Sequence, residues 1–424
     1  MTNKHILLLL AFLPALFSCQ DNKGPRRLSI PIVESTLSDT TSRNYSLLRS
    51  YSPGQVEGSI FLFGTPEEVI QMTEEFLTAD RHNNIDGNHN ADELPDFSGE
   101  TIAALMDIAN SPYDDYFVLS NENFIKELTV RNFLFAMDTL ALQSPYDTLH
   151  PVRKAKAKMV VLASSYASMY GAAEIDTLCR VANPAVPVVS MLDVMSVKAL
   201  ETGDNFLVWT TRDKLDRNVF VDYFKHLPGR LARKGTLLTE FHWHQGCPAP
   251  DSLRDDGTVR ARLLDLLDDY LATQPRRDRK VGSILLDDPL VNADQLQEAL
   301  ESLKRTDEDN LLIYRNLLSP RCRVVSPGEA VTEYCYQMMR ENNTFTHKIA
   351  YPALKCYVTT PAAYLPESLC DVDGSLAYSY NYGRESGQAR PSFSFVELRD
   401  RYFSETWMEF MEEKAPKTFS LYVR

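Results

Sequence analysis

The stretch that most constrains the fold is residues 158–172, where an apolar run ends in two hydroxyl residues, Ser164 and Ser165, and a helical pattern follows. A short apolar run bounded by small polar residues is typical of a strand that is buried on both faces, as strands of parallel sheets are. In such sheets the turn after a strand carries the polar side chains that meet a ligand. Residues 158–172 therefore predict a strand, a polar turn and a helix in an α/β protein.

The order of an apolar run followed by a helix recurs along the chain. Further units of this kind begin at Gly58, Val186, Phe206 and Val281. Strands that alternate with helices predict mostly parallel sheets with crossover connections. The part of the chain after the first 50 residues exceeds what one hydrophobic core usually holds. We therefore expect a first α/β lobe from residues 51–190 and 311–424 and a second from residues 191–310.

Several segments carry weaker signals for individual elements. Residues 101–110 have apolar side chains at helical spacing and predict a helix. Asp96 or Ser98 is a natural N-cap for that helix. We predict strands at residues 116–119, 236–242 and 418–423.

The N-terminal residues have the pattern of an export signal. The apolar stretch from Ile6 to Phe17 is shorter than the ~20 residues that span a bilayer as a helix, so residues 1–18 predict a removable signal peptide. The residues that end at Cys19, Leu-Phe-Ser-Cys, resemble a bacterial lipobox, in which the cysteine carries the lipid. The alternative is an ordinary signal peptide in which Cys19 has no such role. We expect residues 19–50 to be a flexible, lipid-anchored tether at the bacterial cell envelope.

Composition and motifs exclude several classes of partner. The formal net charge of −14 argues against nucleic acid and anionic lipid, which are bound by basic surfaces. No Walker loop, dinucleotide-binding glycine fingerprint or Gly-x-Ser-x-Gly elbow occurs, and we expect no cofactor. His242 and His244 have a spacing that can hold zinc, but no third ligand is identifiable. A polar edge strand is the preferred interpretation, so we expect no metal. Disulfides among the cysteines that follow Cys19 are permitted in an exported protein, but their pairing does not follow from the sequence.

Four polar segments resemble motifs of the aspartate/glutamate racemase superfamily. Residues 96–99, Asp-Phe-Ser-Gly, are similar to the family's Asp-Ser-Gly turn but carry an extra phenylalanine. Residues 163–167, Ala-Ser-Ser-Tyr-Ala, lie where the family has Ala-Cys-Asn-Thr-Ala. Thr210 and Thr211 are similar to a threonine segment at a strand end, and residues 286–289 lie where the family has Gly-Cys-Thr-His.

The resemblance implies two pseudo-symmetric α/β lobes that close over an amino acid. Both catalytic cysteines of the family are replaced, the first by Ser164 and the second by Asp287. Cofactor-independent racemisation needs two thiols on opposite faces of Cα, and a serine hydroxyl is a far poorer base. Because Ser164 and Asp287 lie at the positions of the two thiols, the resemblance makes them the candidate catalytic residues. The resemblance implies a ligand-binding set of Asp96, Ser98, Ser165, Thr210 and Thr211.

These features support three hypotheses about function. The first is an exported lipoprotein that binds a small amino acid or dicarboxylate between the lobes without two-thiol racemisation. The second is an amino-acid isomerase or lyase that uses Asp287 together with Ser164 or Cys247. The third is a surface scaffold or interaction protein with no small ligand, in which side chains fill the cleft.

Overall fold

The computed structural model describes residues 30–52, 54–184, 186–238, 240–248, 258–273, 279–399 and 402–423. The predicted signal peptide and Cys19 lie outside these ranges. The strands, in chain order, are β1 (Ser59–Gly64), β2 (Thr101–Met106), β3 (Leu140–Ala141), β4 (Val152–Arg153), β5 (Ala157–Leu162), β6 (Val188–Ser190), β7 (Asn205–Thr210), β8 (His242–Gly246), β9 (Val281–Asp287), β10 (Leu318–Val325), β11 (Ala353–Pro361) and β12 (Phe393–Glu397).

The helices cover both faces of the sheets that these strands form. In chain order they are α1 (Pro31–Ser38), α2 (Arg43–Arg49), α3 (Pro66–Thr78), α4 (Asp115–Val118), α5 (Phe124–Met137), α6 (Ala172–Ala182), α7 (Met191–Leu200), α8 (Arg212–Asp216), α9 (Val219–Arg233), α10 (Val259–Thr273), α11 (Ala293–Arg305), α12 (Leu312–Leu317), α13 (Pro327–Glu341), α14 (Tyr378–Tyr382), α15 (Glu405–Lys414) and α16 (Pro416–Tyr422). Among the described helices, none combines the length and the apolar character needed to cross a membrane.

The strands form two main sheets. The first sheet has the order β12-β11-β2-β1-β5-β6 and the second has the order β10-β9-β7-β8. All neighbours in both sheets are parallel except β12, which is antiparallel to β11. Every residue of β1, β5, β7 and β9 is buried, as expected for parallel strands covered on both faces. The prediction of an α/β protein with mostly parallel sheets flanked by helices is confirmed.

One hydrophobic core joins the two sheets. Alternate residues of β1 and β7, among them Ile60 and Phe206, point into this shared core. Their neighbours Phe61 and Leu207 point away into two separate outer cores, one behind each sheet. The period-2 alternation of strand side chains therefore divides each strand between a shared inner core and its own outer core.

Three predicted elements are wrong in type. Residues 101–106 form β2 and not a helix, because an apolar run buried on both faces carries no periodicity that separates strand from helix. The predicted strand at 116–119 lies mostly in helix α4. The predicted strand at 418–423 lies mostly in helix α16, which begins with Pro416 in its first turn. The predicted strand at 236–242 overlaps β8 only at its last residue.

The tether and the lobe boundary also differ from their predictions. Residues 31–49 form α1 and α2, and Ile32, Val33 and Leu48 are buried in the outer core of the first sheet. The flexible tether therefore does not extend to residue 50, since these side chains are removed from water. β10 pairs with β9 in the second sheet, so that sheet continues past the predicted boundary at residue 310.

The six cysteines in the described ranges are free thiols. The two histidines of β8 contact carboxylates: His244 Nε2 lies 2.9 Å from Asp269 and His242 Nε2 lies 3.7 Å from Glu240. The described residues include no group of three or more His, Cys, Asp or Glu side chains arranged to hold a metal ion.

Candidate functional site

The candidate site lies where strand ends of the two sheets meet. β1 ends before Thr65 and the start of α3, and β5 ends before Ser164 and Ser165. In the second sheet, β7 ends at Thr210 and β9 ends at Asp287, and the two residues are paired in register. Because carboxyl ends of parallel strands lie on one edge of a sheet, the topology brings these polar residues together.

Lys214 lies at the centre of this site. It belongs to α8, the short helix that follows β7, and it is 5% exposed. Its ammonium donates hydrogen bonds to Ser165 Oγ at 2.6 Å and to Asp287 Oδ2 at 3.0 Å, and lies 3.4 Å from Glu68 Oε1. One buried cation therefore contacts groups from both sheets.

Glu68, in the first turn of α3, accepts hydrogen bonds from the residues that follow β1 and β5 in the first sheet. Its Oε1 accepts hydrogen bonds from the backbone N–H of Ser165 at 3.1 Å and from the Ser165 hydroxyl at 3.0 Å. Its Oε2 accepts a hydrogen bond from Thr65 Oγ1 at 2.5 Å. On the other side, Thr210 Oγ1 donates to Asp287 Oδ2 at 3.1 Å. We call Glu68, Ser165, Thr210, Lys214 and Asp287 the ionic cluster.

The pKa values of the charged members move in different directions. Burial by itself would lower the pKa of Lys214, but Asp287 and Glu68 outweigh burial and raise it above the ordinary value. Burial would also raise the pKa of Glu68, but the Lys214 ammonium and hydrogen bonds from Thr65 and Ser165 lower it. Burial raises the pKa of Asp287 to about 6, against the opposing effect of Lys214. Near pH 7 the cluster therefore holds one ammonium and two carboxylates.

Tyr166 and Asp114 extend the cluster on the side of the first sheet. The Tyr166 hydroxyl donates a hydrogen bond to Asp114 Oδ1. The Lys214 ammonium lies 5.3 Å from the centre of the Tyr166 ring, a cation–π distance. Burial raises the pKa of Asp114, although the bond from Tyr166 opposes it. The junction of the strand ends is filled by these side chains.

Ser164, the predicted first catalytic residue, is held beneath the cluster. It is fully buried, and its hydroxyl has no hydrogen-bond partner of standard geometry among the described residues. Its proximity to Glu68 nonetheless contributes to the lowered pKa of that carboxyl. A Cβ atom at Gly64 would lie 2.4 Å from Ser164 Cβ, so β1 and the turn after β5 approach each other too closely for any side chain at position 64.

Asp96 and Ser98 do not join this site. They precede β2, whereas the ionic cluster lies beyond the carboxyl ends of the strands, so the two residues are at the opposite edge of the first sheet. Asp96 accepts hydrogen bonds from the backbone N–H groups of Arg81 and His82, and Ser98 Oγ donates to the Pro95 carbonyl at 2.7 Å. Both side chains close their own loop. The predicted grouping of Asp96 and Ser98 with Ser164 is therefore wrong.

Thr211 and Cys247 lie near the cluster without joining it. Thr211 is the residue before α8, and its side chain makes no capping hydrogen bond. Cys247 follows β8, and Arg212 donates a hydrogen bond to its backbone carbonyl at 3.3 Å. Burial raises the pKa of the Cys247 thiol, which disfavours the thiolate that a displaced catalytic cysteine would need.

A cavity of about 280 Å³ opens beside the cluster, between α3, α13 and the ends of β9 and β10. We call it the acidic cleft, because carboxylates outnumber basic groups in its lining. The carboxylates are those of Glu68, Glu74, Glu75, Asp287, Asp288, Asp294 and Glu329, and the basic groups are those of Arg81 and Lys414. Five of these carboxylates already have partners. Glu68 and Asp287 contact Lys214, Glu75 contacts Arg81, and Asp288 contacts Arg262, while Glu74 accepts hydrogen bonds from the first N–H groups of α16.

The chemistry of this site differs from a two-thiol site. None of the hydrogen-bonding groups of the ionic cluster is a thiol, and an ammonium whose pKa is raised does not act as a base at neutral pH. The buried Ser165 hydroxyl accepts a hydrogen bond from that ammonium and donates one to Glu68. Because the pKa of Glu68 is lowered, its carboxylate is a weak base, and neither contact activates Ser165 as a nucleophile. Asp287 is the member of the cluster whose pKa lies nearest to neutrality.

The sequence pointed to Ser165, Thr210 and Asp287 but missed Glu68 and Lys214. Glu68 has the signal of an ordinary acidic first turn after Pro66, and Lys214 stands in a charged helix start, Arg-Asp-Lys. In the sequence, Glu68 and Lys214 look like exposed charged residues at a helix start. They are enclosed only because the strand ends of the two sheets meet around them.

No protein-family model matches the sequence, and no curated protein matches it. Solved structures of glutamate racemases are similar to this chain. One from Francisella tularensis, in complex with D-glutamate, has 13% identity and a TM-score of 0.41 over 78% of this chain and 95% of its own. One from Thermus thermophilus, in complex with β-chloro-D-alanine, has 13% identity and a TM-score of 0.41 over 78% and 94%. An isoform from Bacillus anthracis has 14% identity and a TM-score of 0.38 over 71% and 88%.

Proposed function

We propose that this protein binds a small amino-group-bearing ligand, an amino acid, in the acidic cleft and does not racemise it by a two-thiol mechanism. The observation that carries the proposal is the buried Lys214 ammonium, which occupies the junction where two opposed bases would have to stand. In this proposal, the contacts of Lys214 link the strand ends of the two sheets, and the ligand binds in the adjoining acidic cleft.

The charge of the acidic cleft favours a ligand with an ammonium group. Asp287 and Asp288 lie at its end nearest the cluster, and the raised pKa of Asp287 shows that burial and the nearby Glu68 carboxylate disfavour its charge. A ligand ammonium would relieve this excess. Lys414 in the same lining contacts the exposed Glu413 at 2.8 Å and is itself 32% exposed, so its ammonium keeps donors that a ligand carboxylate can reach. A dicarboxylate without an amino group would meet further negative charge. The cavity is slightly smaller than typical drug-sized pockets of ~300–1,000 Å³, which fits a ligand of amino-acid size.

Isothermal titration calorimetry with matched ligands tests the proposal. We expect D- and L-alanine, D- and L-serine and glutamate to bind more tightly than glutarate, which has two carboxylates and no amine. Asp288→Asn is expected to weaken the binding of these amino acids about tenfold, the value of one charged hydrogen bond. Asp213→Asn, on the exposed face of α8, is the matched control and is expected to leave binding unchanged.

The outcomes separate the hypotheses. Equal binding of glutarate and alanine would show that the charge of the cleft does not select the ligand. Absence of binding by every ligand at millimolar concentration would overturn the binding proposal and favour a surface scaffold.

A second candidate is an isomerase or lyase in which Asp287 is the base. It is favoured by one observation, the pKa of about 6 for a carboxyl that lines the cleft, since a base is most effective with a pKa near the working pH. Incubation of amino acids with the protein in D2O, followed by NMR of the Cα–H signals, tests it. Exchange that rises through pH 6 and is lost in Asp287→Asn supports catalysis. Silence at high protein concentration contradicts it.

We also propose that the protein is exported and lipid-anchored through Cys19. The support is the short apolar N-terminal stretch and the lipobox-like residues before Cys19. Expression with a labelled fatty acid, followed by membrane fractionation, tests this proposal. Label and membrane association should be lost in Cys19→Ala and kept in Cys179→Ala. Retention of the label in Cys19→Ala would refute the assignment.

A further inference from the structure

The acidic cleft holds more negative charge than a zwitterionic amino acid can neutralise. Seven carboxylates line it, against the two basic groups of Arg81 and Lys414. Two further cations, Lys214 and Arg262, contact lining carboxylates from outside the lining. The carboxylates still exceed these four cations by three. An amino acid with one ammonium and one carboxylate has no net charge and leaves this excess unchanged.

Asp294 and Glu329 are the two lining carboxylates that the protein itself leaves without a partner. Asp294 lies in the first turn of α11, and Glu329 lies in the first turn of α13. In the part of the chain that the structure describes, neither side chain has an ion pair or a hydrogen bond. Both are exposed, so a ligand in the cleft can reach them.

Asp294 is not needed to cap the helix in which it stands. The side chain of Asn292 is the N-cap of α11 and accepts a hydrogen bond from the backbone N–H of Gln295 at 3.0 Å. The Asp294 carboxylate therefore remains free to accept hydrogen bonds from a cation, which are the stronger kind.

The loop from β9 to α11 places an apolar surface between two acidic positions. Asp287 ends β9, and Asp294 follows the loop. Between them, Pro289, Leu290 and Val291 line the cleft, and Leu290 is 67% exposed. An aliphatic chain with an ammonium at each end fits this order of groups, because its methylenes cover apolar surface while both charges meet carboxylates.

We propose that the acidic cleft selects a basic amino acid of the ornithine or lysine type, with its side-chain ammonium at Asp294 and Glu329 and its α-ammonium at Asp287 and Asp288. The methylene chain lies against Leu290. Such a ligand brings two ammonium groups and one carboxylate, so it reduces the excess of negative charge. This inference rests on the proposed function of the acidic cleft and names the class of amino acid that the cleft binds.

Isothermal titration calorimetry with L-lysine and L-norleucine tests the inference. Norleucine has the side-chain carbons of lysine without the terminal ammonium, so the pair isolates the effect of that charge. Lysine should bind about tenfold more tightly, as expected for two partly exposed ion pairs. The preference should shrink with added sodium chloride, because salt screens exposed charges.

A series of shorter diamino acids measures the span between the two acidic positions. Affinity should rise from 2,3-diaminopropionate through 2,4-diaminobutyrate to ornithine and lysine, since a short chain cannot hold both ammonium groups against carboxylates. Equal affinity along the series would overturn the assignment of the side-chain ammonium to Asp294 and Glu329.

Three variants locate the second ammonium site. Asp294→Asn and Glu329→Gln should each weaken the binding of lysine about two- to fivefold, the value of an exposed ion pair, and leave the binding of norleucine unchanged. Glu298→Gln, on the exposed face of α11 and outside the lining of the cleft, is the matched control and should bind both ligands as the unchanged protein does. Unchanged binding of norleucine also shows that each variant is folded.

The outcomes separate this inference from the proposed function. Equal binding of lysine and norleucine would overturn the inference and leave amino-acid binding in the cleft intact. A preference for lysine that survives in both Asp294→Asn and Glu329→Gln, or that falls as far in Glu298→Gln, would also overturn it. Absence of binding by lysine, norleucine and alanine alike would overturn the proposed function together with this inference.

Discussion

Lys214 is the residue whose removal tests the ionic cluster most directly. Its ammonium is the cation shared by Glu68 and Asp287, whose side chains are 11% and 1% exposed. Lys214→Met keeps much of the side-chain volume and leaves two carboxylates without a cation. Breaking a buried ion pair from one side costs about 3–5 kcal/mol, and we expect a loss of that size in the free energy of unfolding measured with urea at pH 7.5.

Lys225→Met is the control for this change, because Lys225 is exposed. Its free energy of unfolding should change by less than ~0.5 kcal/mol, as for most surface substitutions. A loss in Lys214→Met no larger than that of the control would mean that the cluster does not hold the strand ends together.

Asp287 gives the cluster a pH dependence whose sign follows from its pKa. Burial raises this pKa from 3.8 to about 6. Between these two pH values, the Asp287 carboxyl is therefore protonated in the folded chain and ionised in the unfolded chain. The contribution of the carboxyl to stability is therefore complete below pH 4 and is lost as pH rises through 6. Relative to Asp287→Asn, the unchanged protein should lose about 3 kcal/mol between pH 4 and pH 7.5, at ~1.4 kcal/mol per pKa unit.

Urea unfolding of both proteins at several pH values measures this difference. Leu286→Val, one residue earlier in β9, is a non-titratable control whose difference from the unchanged protein should not vary with pH. A pH-independent difference for Asp287→Asn would contradict the assignment of the raised pKa to this carboxyl.

At the scale of elements, the approach of β1 to the turn after β5 depends on a glycine. A Cβ atom at position 64 would lie 2.4 Å from Ser164 Cβ and 3.0 Å from its backbone nitrogen. Gly64→Ala should therefore lower the free energy of unfolding by about 1–3 kcal/mol, the usual cost of overpacking.

Gly229→Ala is the matched substitution with the opposite expected sign. Gly229 lies inside α9, and apart from its chain neighbours and the backbone of its own helix, no atom lies within 4 Å of the position that its Cβ would take. Alanine should raise the free energy of unfolding by about 0.5–1 kcal/mol, since glycine destabilises a helix interior by that amount. Chemical denaturation of the two variants measures both, and equal effects would show that Ser164 yields to a side chain at position 64.

The elements that the sequence predicted correctly are those with two independent signals. β5 and β7 combine an apolar run with small polar residues and a helix start, whereas residues 101–106 form an apolar run followed by Asp107 and no regular helix. The helical spacing of Ile102, Leu105 and Met106 is accidental, because every second residue of a doubly buried strand is also apolar. α16 was missed for a related reason, since a short apolar segment after Pro416 fits either element.

At the scale of the whole molecule, the shared core couples the two sheets. Ile60 of β1 and Phe206 of β7 belong to the same buried cluster, to which α7 and α13 also contribute. We expect the described body of the protein to unfold in one calorimetric transition. Leu300→Ala, in the outer core of the second sheet, should move the whole transition to lower temperature, at a cost of about 2–5 kcal/mol.

Scanning calorimetry of the unchanged protein and Leu300→Ala tests this coupling. Two resolved transitions, with only one displaced by the substitution, would show that the sheets unfold independently despite their common core.

The sequence by itself determined the alternation of strands and helices, the parallel arrangement, and three members of the ionic cluster: Ser165, Thr210 and Asp287. These features follow from the local sequence pattern, because the end of a strand in a parallel sheet is marked by a polar residue after an apolar run. Only the tertiary structure decided that Asp96 and Ser98 lie at the amino ends of the strands of the first sheet, on the side opposite the ionic cluster. The sequence predicted a helix after these two residues, whereas the structure has strand β2 there. The tertiary structure also decided that Glu68 and Lys214, two ordinary helix-start charges in sequence, face each other in the interior, where loss of water makes their pairing strong. The structural roles of Ser164 and Ser165 therefore became clear only from the fold. Ser164 packs against Gly64, and Ser165 is hydrogen-bonded to the Lys214 ammonium and the Glu68 carboxylate.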